Sequence, residues 1–272
     1  MKLRLRNHTT FALSLLLLGS SACARGSASG GTGREDNFMV SNGQGISSPG
    51  FGEGISGQNP AGLINNQRIK IQMGAATFDN STQNAQGSAA LLMGNGFLAA
   101  GAEYSRYNAA PFARGTSLIN GGLALRMSTL NMTLGVSGHL PQPQGAAQFD
   151  LGTLIDLAPA LRFGAMVPNV TNGVHIVASG FTYSLDPSID LVVDAAYGLG
   201  SGDGTVKPGM SIHTDLVQAT FAYGLRMMGV NDVLLYPKLT GALGLKLTDN
   251  ILVEYTYRGL PEHRLGLTLR FN

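Results

Sequence analysis

The second half of the chain, and much of the first, consists of short segments in which apolar and polar residues alternate. In the first of these segments, every second residue is apolar: Ile69, Ile71, Met73 and Ala75. The residues between them are Lys70, Gln72 and Gly74. Because side chains alternate across a strand with a period of two, the pattern predicts a β-strand with one apolar and one polar face.

The pattern recurs in about fourteen segments of about 8–12 residues, the length that a tilted strand needs to cross a membrane. The segments lie near residues 69–75, 85–93, 97–106, 118–128, 131–140, 146–156, 161–168, 174–185, 189–198, 205–213, 217–227, 237–247, 253–257 and 263–272. A count of twelve strands is the alternative.

The connections between segments alternate in length. Short turns are expected near residues 94–96, 129–130, 157–160, 186–188, 214–216 and 248–250. Connections that are mostly longer are expected near residues 78–85, 107–117, 141–145, 169–173, 199–204, 228–236 and 259–262. Transmembrane barrels have short turns at one rim and longer loops at the other. An even number of strands then leaves both ends of the barrel at the short-turn rim.

Composition narrows the fold class. Only 12% of the residues are charged, whereas about 25% is typical of soluble domains. After the N-terminus no apolar run reaches the roughly 18 residues that a spanning helix needs. Only helices and closed barrels satisfy every backbone group in lipid. We therefore predict an all-β, transmembrane, antiparallel up-and-down barrel. The net charge of +2 gives no support to nucleic-acid binding.

The last ten residues, 263–272, form an amphipathic segment. One face carries Leu265, Leu267, Leu269 and Phe271. A terminal amphipathic strand with an aromatic residue at its end resembles the closing strand of bacterial outer-membrane barrels. That resemblance implies recognition by the barrel assembly machinery, residence in the outer membrane of a Gram-negative bacterium and contact with outer-membrane lipid.

The N-terminus has the pattern of an export signal over residues 1–24. A basic start is followed by the apolar stretch Phe11–Leu18 and by small residues. Two kinds of processing fit this pattern: ordinary cleavage after Ala24, or lipidation of Cys23, which would then become the N-terminus. Cys23 is the only cysteine, so the remainder of the chain contains no disulfide.

Residues 25–66 are rich in Gly, Ser and Asn, which predicts a flexible tether followed by a plug segment before a barrel over residues 67–272. Asn59-Pro60-Ala61-Gly62-Leu63 directly precedes the first strand. This motif, in this position, resembles the N-terminal segment of the FadL/PorV-like family of outer-membrane barrels, here with short outer loops. The resemblance implies a plug inside a 14-stranded barrel. The motif either packs the plug or gates and contacts a ligand.

The polar faces of the predicted strands carry charges of both signs. The predicted lumen charges are Lys70, Glu103, Arg126, Asp150, Arg162, Asp190, Asp194, Arg226, Lys246, Glu254, Arg258, Arg264 and Arg270. They either line a pore or pair across a filled lumen, since isolated charges in a narrow space are costly. The excess of basic groups favours anions if a pore is open.

The apolar faces contain small residues where lipid-facing barrels usually carry large ones: Ala100, Ala102, Gly121, Ala165, Ala195, Ala219 and Gly241. Small residues allow close approach between proteins in a membrane, so a homo-oligomeric ring is one hypothesis.

No catalytic or metal-binding motif occurs, and we expect no enzyme activity, metal or cofactor. Two functions remain: a FadL-like or porin-like conduit for small or hydrophobic solutes, or an occluded structural barrel that self-assembles and holds lipid.

Overall fold

The computed structural model describes residues 59–65, 68–78, 81–107, 116–142, 146–174, 176–199, 204–228, 239–258 and 262–271. The predicted signal peptide, Cys23 and the tether before residue 59 lie outside these ranges. Among the described residues, none belongs to a helix with the length and apolar character required to span a bilayer.

Fifteen strand segments form a single antiparallel sheet. They are β1 Ile69–Phe78, β2 Ser81–Gly94, β3 Leu98–Tyr107, β4 Thr116–Met127, β5 Met132–Gln142, β6 Gln148–Ala158, β7 Leu161–Val167, β8 Ile176–Asp186, β9 Ile189–Gly198, β10 Gly204–His213, β11 Val217–Tyr223, β12 Leu225–Met228, β13 Leu239–Thr248, β14 Ile251–Arg258 and β15 Glu262–Phe271. A 3-10 turn, Pro60–Asn65, precedes them.

The sheet closes into a barrel. β15 pairs with β1 from Ile69 opposite Phe271 to Phe78 opposite Glu262. β11 and β12 both pair with β10 and are separated only by Gly224, so they are two parts of one barrel strand. The barrel therefore has fourteen strands, as the alternating pattern predicts.

The two faces of the wall differ as expected. In β1, Ile69, Ile71 and Met73 are 50%, 37% and 43% exposed, whereas Lys70 between them is 7% exposed. Large apolar side chains remain exposed on the outside of nearly every strand. A water-soluble protein would bury a face of this size, so the outer surface suits hydrocarbon.

Local turn chemistry defines the two rims. Asn95 Oδ1 accepts hydrogen bonds from the backbone N–H groups of Phe97 and Leu98, and Gly96 supplies a φ of 82°. Asn131, with a φ of 48°, turns the chain between β4 and β5. Both of these turns lie at one end of the barrel, the short-turn rim, where β1 begins and β15 ends.

One predicted connection is wrong in length. The first loop was expected over residues 78–85, but β2 begins at Ser81, which leaves only residues 79–80 between the strands. The polar run Ser81–Gln86 has the composition of a loop. Its backbone nevertheless joins the sheet, with an irregularity in register beside Thr77 and Phe78. Backbone pairing with the neighbouring strand thus outweighs local composition.

Candidate functional site: the barrel lumen

Residues 59–65, which we name the lumen turn, lie against the inner wall of the barrel. Asn59 begins the turn: its Oδ1 accepts the backbone N–H of Ala61 at 3.1 Å, and its carbonyl accepts that of Gly62 at 2.9 Å. Asn caps helical turns well, and Pro60 fits the next position because its missing N–H is not needed there. The Asn-Pro dipeptide is therefore the local reason for the turn.

The Asn59 side chain also binds the barrel wall. Its Nδ2 donates to the carbonyl oxygen of Thr153 at 2.9 Å and to that of Ala165 at 3.3 Å. These carbonyls belong to β6 and β7. Asn59 therefore links the turn to two neighbouring strands through its amide group, at 5% exposure.

Two glycines on the wall, Gly135 and Gly152, make room for the lumen turn. They lie opposite each other on β5 and β6. A Cβ atom on Gly135 would be 2.2 Å from Ala61 N, and one on Gly152 would be 2.0 Å from Asn59 Oδ1. Neither position can hold a side chain with the turn in place. We name this pair the glycine seat.

The other end of the lumen turn is held by apolar packing. Leu63 and Ile64 form one buried cluster with Leu92, Ala99 and Ala124, which are lumen-facing residues of β2, β3 and β4 near the short-turn rim. Full burial of a leucine contributes about 1.5–3 kcal/mol. The motif residues Asn59 to Leu63 are thus in contact with the wall through both polar and apolar groups. The longer plug over residues 25–66 stays a prediction.

A buried polar cluster lies on the inner wall between β4 and β6. The Nε2 atom of His139 lies 2.6 Å from Asp150 Oδ2, and its Nδ1 lies 2.8 Å from Asn120 Oδ1. His139 and Asp150 are 1% and 0% exposed. Ser137 Oγ approaches the same Nε2 at 3.4 Å. In a catalytic triad the serine and the carboxylate bind opposite ring nitrogens, so this geometry differs from a triad.

The same cluster anchors a connection at the opposite rim, the long-loop rim. Asp150 Oδ1 accepts the backbone N–H of Asn169 at 2.8 Å, and Thr171 Oγ1 accepts that of Phe149 at 3.1 Å. Asn169 adopts a left-handed conformation with a φ of 51°. Asp150 therefore fixes the loop after β7 to the interior of the barrel.

A second pair of buried charged residues lies between β9 and β10. Asp194 and Lys207 are 0% and 1% exposed and stand opposite each other in the strand register. Sequence reasoning included Asp194 but missed Lys207. The alternation of Val206 and Pro208 around Lys207 would have placed it on the polar face.

Charged pairs also lie at the short-turn rim. Asp156 accepts hydrogen bonds from Arg162 Nε at 2.8 Å and from Arg126 at 3.3 Å. Asp190 lies 3.1 Å from His213 Nε2 and accepts the hydroxyl of Ser184 at 2.6 Å. Carboxylates thus meet basic side chains from nearby strands at this rim, in the manner that the pairing alternative describes.

The lumen also contains open space, on the side of the closing seam. It amounts to about 630 Å³, part of it continuous with solvent, and lies beside β1, β2, β3, β14 and β15. None of the described residues in the lining is aromatic. The lining side chains are mainly small or polar: Gln72, Gly74, Ala76, Ser88, Ala90, Glu103, Glu254, Thr256, Arg264, Gly266 and Thr268, with Met73, Ala75 and Leu265.

The remaining predicted lumen residues have different positions. Lys70 is buried on β1, Lys246 reaches the Thr214 carbonyl at 3.5 Å at the short-turn rim, and Arg270 is half-buried near the end of β15. The side chains of Arg226 and Arg258 lie outside the described part. Among the described residues, no group of three or more His, Cys, Asp or Glu is arranged to hold a metal ion.

The predicted assembly signal lies on the outer face. Leu265 is 62% exposed and Phe271 is 45% exposed, while Leu267 and Leu269 are half-buried. Phe271 lies at the short-turn rim opposite Ile69. These residues form a continuous apolar stripe beside the seam that closes the barrel.

Comparison with solved structures finds the same architecture. The toluene transporter TbuX of Ralstonia pickettii superposes with a TM-score of 0.61 at 11% identity, over 88% of this chain and 99% of that one. The monoaromatic hydrocarbon channel CymD gives 0.53 at 10% identity, over 82% and 95% of the two chains. The outer-membrane protein Omp33 of Acinetobacter baumannii gives 0.52 at 10% identity, over 75% and 98%.

At these identities the likeness establishes a shared fold, the closed antiparallel barrel. No protein-family model and no curated protein matches the chain. Membership of the FadL/PorV-like family therefore remains a prediction that the barrel architecture supports.

Proposed function

We propose that this protein is an outer-membrane barrel through which small solutes pass. The observation that carries the proposal is the open, polar-lined space inside a closed barrel with an apolar exterior. A barrel of fourteen strands is larger than the eight-stranded barrels whose interiors are filled by side chains. The names of the transporter and the channel with the same fold give further support.

Placement in the membrane follows from the same features. The export signal over residues 1–24 would deliver the chain across the inner membrane, with cleavage after Ala24 and lipidation of Cys23 as the two forms of processing. The barrel assembly machinery would bind the β15 stripe, and outer-membrane lipid would cover the exposed apolar residues. The short-turn rim would then face the periplasm.

The test is solute passage through the purified protein in planar bilayers and in liposomes. Steps of conductance and osmotic swelling with small solutes are expected. Ala90 faces the open space and its neighbour Ala89 faces outward. Ala90→Trp should reduce the conductance, whereas Ala89→Trp on the same strand should not. Absence of conductance and swelling from correctly folded protein would refute passage.

The occluded, self-assembling barrel remains the alternative, and no described contact favours it. The small outward residues, for example Ala100 and Gly121, leave room for a second copy but do not identify one. A stable oligomer without conductance in the experiment above would favour this alternative.

A further inference from the structure

We infer that the open space conducts small cationic solutes, of the amine class among organic molecules, and that Glu103 provides the preference for positive charge. The inference rests on the proposed function, since it concerns the solute that would use the passage. It departs from the expectation of anions, which came from counting basic residues over the whole lumen.

The charges of the lumen are not evenly distributed around the wall. Among the described residues, three charged side chains line the open space: Glu103, Glu254 and Arg264. Lys70 and Arg270 lie opposite each other on β1 and β15, nearer the short-turn rim than the lining residues. Other described basic groups lie on other strands. Arg126 and Arg162 bind Asp156 at the short-turn rim, and Lys207 is buried opposite Asp194 on the far wall. Of the three side chains in the lining, Glu103 is the one whose described contacts carry the argument.

Glu103 is held by neutral donors. Its Oε1 accepts the hydroxyl of Ser105 at 2.9 Å, and its Oε2 accepts Nδ2 of Asn120 at 3.4 Å. Within the described part of the chain, no lysine, arginine or histidine lies at ion-pair distance from this carboxylate. Hydrogen bonds from neutral groups hold a carboxylate in position without cancelling its charge, so the field at Glu103 acts on whatever occupies the space.

The position of Glu103 is also rigid and central. It is the sixth of the ten residues of β3, about midway between the rims. Ser105 and Asn120 are 0% and 1% exposed, and Asn120 is fixed in turn by His139 at 2.8 Å. Glu103 therefore projects into the open half of the lumen from the packed polar cluster of the other half.

The rest of the lining suits a small solute that forms hydrogen bonds. Gln72, Ser88 and Thr268 offer amide and hydroxyl groups, while Gly74, Ala90 and Gly266 keep the space open. No aromatic side chain occurs among the described lining residues, so this part of the lining offers no ring on which an aromatic hydrocarbon would stack. Carboxylate, hydroxyl and amide groups together match an ammonium group, which offers three donors.

The test is the reversal potential of the full-length protein in a planar bilayer between unequal KCl solutions. The wild type is expected to prefer K⁺ over Cl⁻. Replacement of K⁺ by ethylammonium should leave the sign of the reversal potential unchanged. Glu103→Gln keeps the shape and removes the charge. It should lower the permeability ratio of cation to anion at least about fivefold, since about fivefold is the effect on a single ion of a unit charge about 4 Å away in water. Asp186→Asn, an exposed acid beside a turn, is the matched control and should leave the ratio unchanged.

Each outcome has a distinct meaning. A conducting wild type that prefers Cl⁻, or a Glu103→Gln variant with unchanged selectivity, overturns this inference and leaves solute passage intact. A wild type that does not conduct overturns both. If Glu103→Gln does not fold, two wild-type measurements still decide the question. They are the sign of the reversal potential and the decline of the cation preference at high salt, where exposed charges are screened.

Discussion

At the scale of single residues, the glycine seat makes the sharpest prediction. Gly152→Ala would place a methyl group on Asn59 and Pro60, and Gly135→Ala would place one on the backbone of Ala61. Overpacking of this kind costs about 1–3 kcal/mol, so either variant should unfold at lower temperature. The measurement is the temperature at which the heat-modifiable band is lost on gel electrophoresis.

Gly121→Ala is the matched control for the seat. Gly121 lies on the outer face of β4, and the nearest atom to an added Cβ is 3.9 Å away. This variant should match the wild type. If Gly152→Ala also matched it, the lumen turn would not occupy the seat.

The His139–Asp150 pair makes a prediction about buried charge. Asp150→Asn removes the charge and replaces one of the two acceptor oxygens by an amide donor, so His139, Ser137 and Asn169 are left with a single acceptor oxygen. Loss of one partner of a buried pair costs about 3–5 kcal/mol. Urea unfolding in detergent micelles would measure it. Asp156→Asn, at the exposed rim, should lower the free energy of unfolding by less than about 1 kcal/mol. Equal losses in the two variants would contradict the argument from burial.

At this scale, the sequence predicts the strand face on which a side chain lies better than it predicts the residues that the side chain contacts. Alternation correctly places Glu103 and Asp150 on the polar face. It does not reveal that Asn120 and His139 link Glu103 to Asp150, because these contacts join residues on four strands whose register is set by pairing. The glycine seat is invisible for the same reason: Gly135 and Gly152 meet only after β5 and β6 pair.

At the scale of secondary-structure elements, β15 is the strand that closes the barrel. It pairs with both β1 and β14. Deletion of residues 263–272 would expose two strand edges and remove the apolar stripe that ends in Phe271, and unpaired edges are intolerable in lipid. We expect the truncated chain to lose the heat-resistant gel shift and to be absent from the outer-membrane fraction.

Phe271→Ala separates the two contributions of β15, since it removes the aromatic group and keeps the backbone pairing. It should assemble more slowly and still form the heat-resistant species. A truncated chain that reached the membrane and kept its gel shift would contradict the assignment of β15 as the closing strand.

The strands themselves were predictable because each satisfies the same requirement. An apolar outside and a polar inside impose a period of two, and the lengths and turns follow from the membrane and from residues such as Asn95 and Gly96. The exception, the start of β2 at Ser81, occurs where a strand extends with polar residues, and there alternation carries no signal.

At the scale of the whole molecule, the lumen is divided into two halves. The walls from β4 to β10 carry fully buried polar groups, among them Asp150, Asp194 and Lys207. The walls beside the closing seam face open space. The lumen turn lies near the short-turn rim, against strands β2 to β7, and thus reaches from the open half to the packed half. A barrel can in this way keep a stable interior and a passage together.

This division predicts that the lumen turn narrows the passage without holding the barrel closed. The double variant Leu63→Asp and Ile64→Asp places two charges in the apolar cluster, where burial is unfavourable, so the turn should leave the wall. The seam between β1 and β15 does not include these residues. We therefore expect a folded barrel with a larger single-channel conductance. Leu216→Asp, at an exposed turn of the same rim, is the control for added charge and should conduct as the wild type does. Unchanged conductance in the double variant, with its gel shift retained, would mean that the turn lies outside the path of the solute.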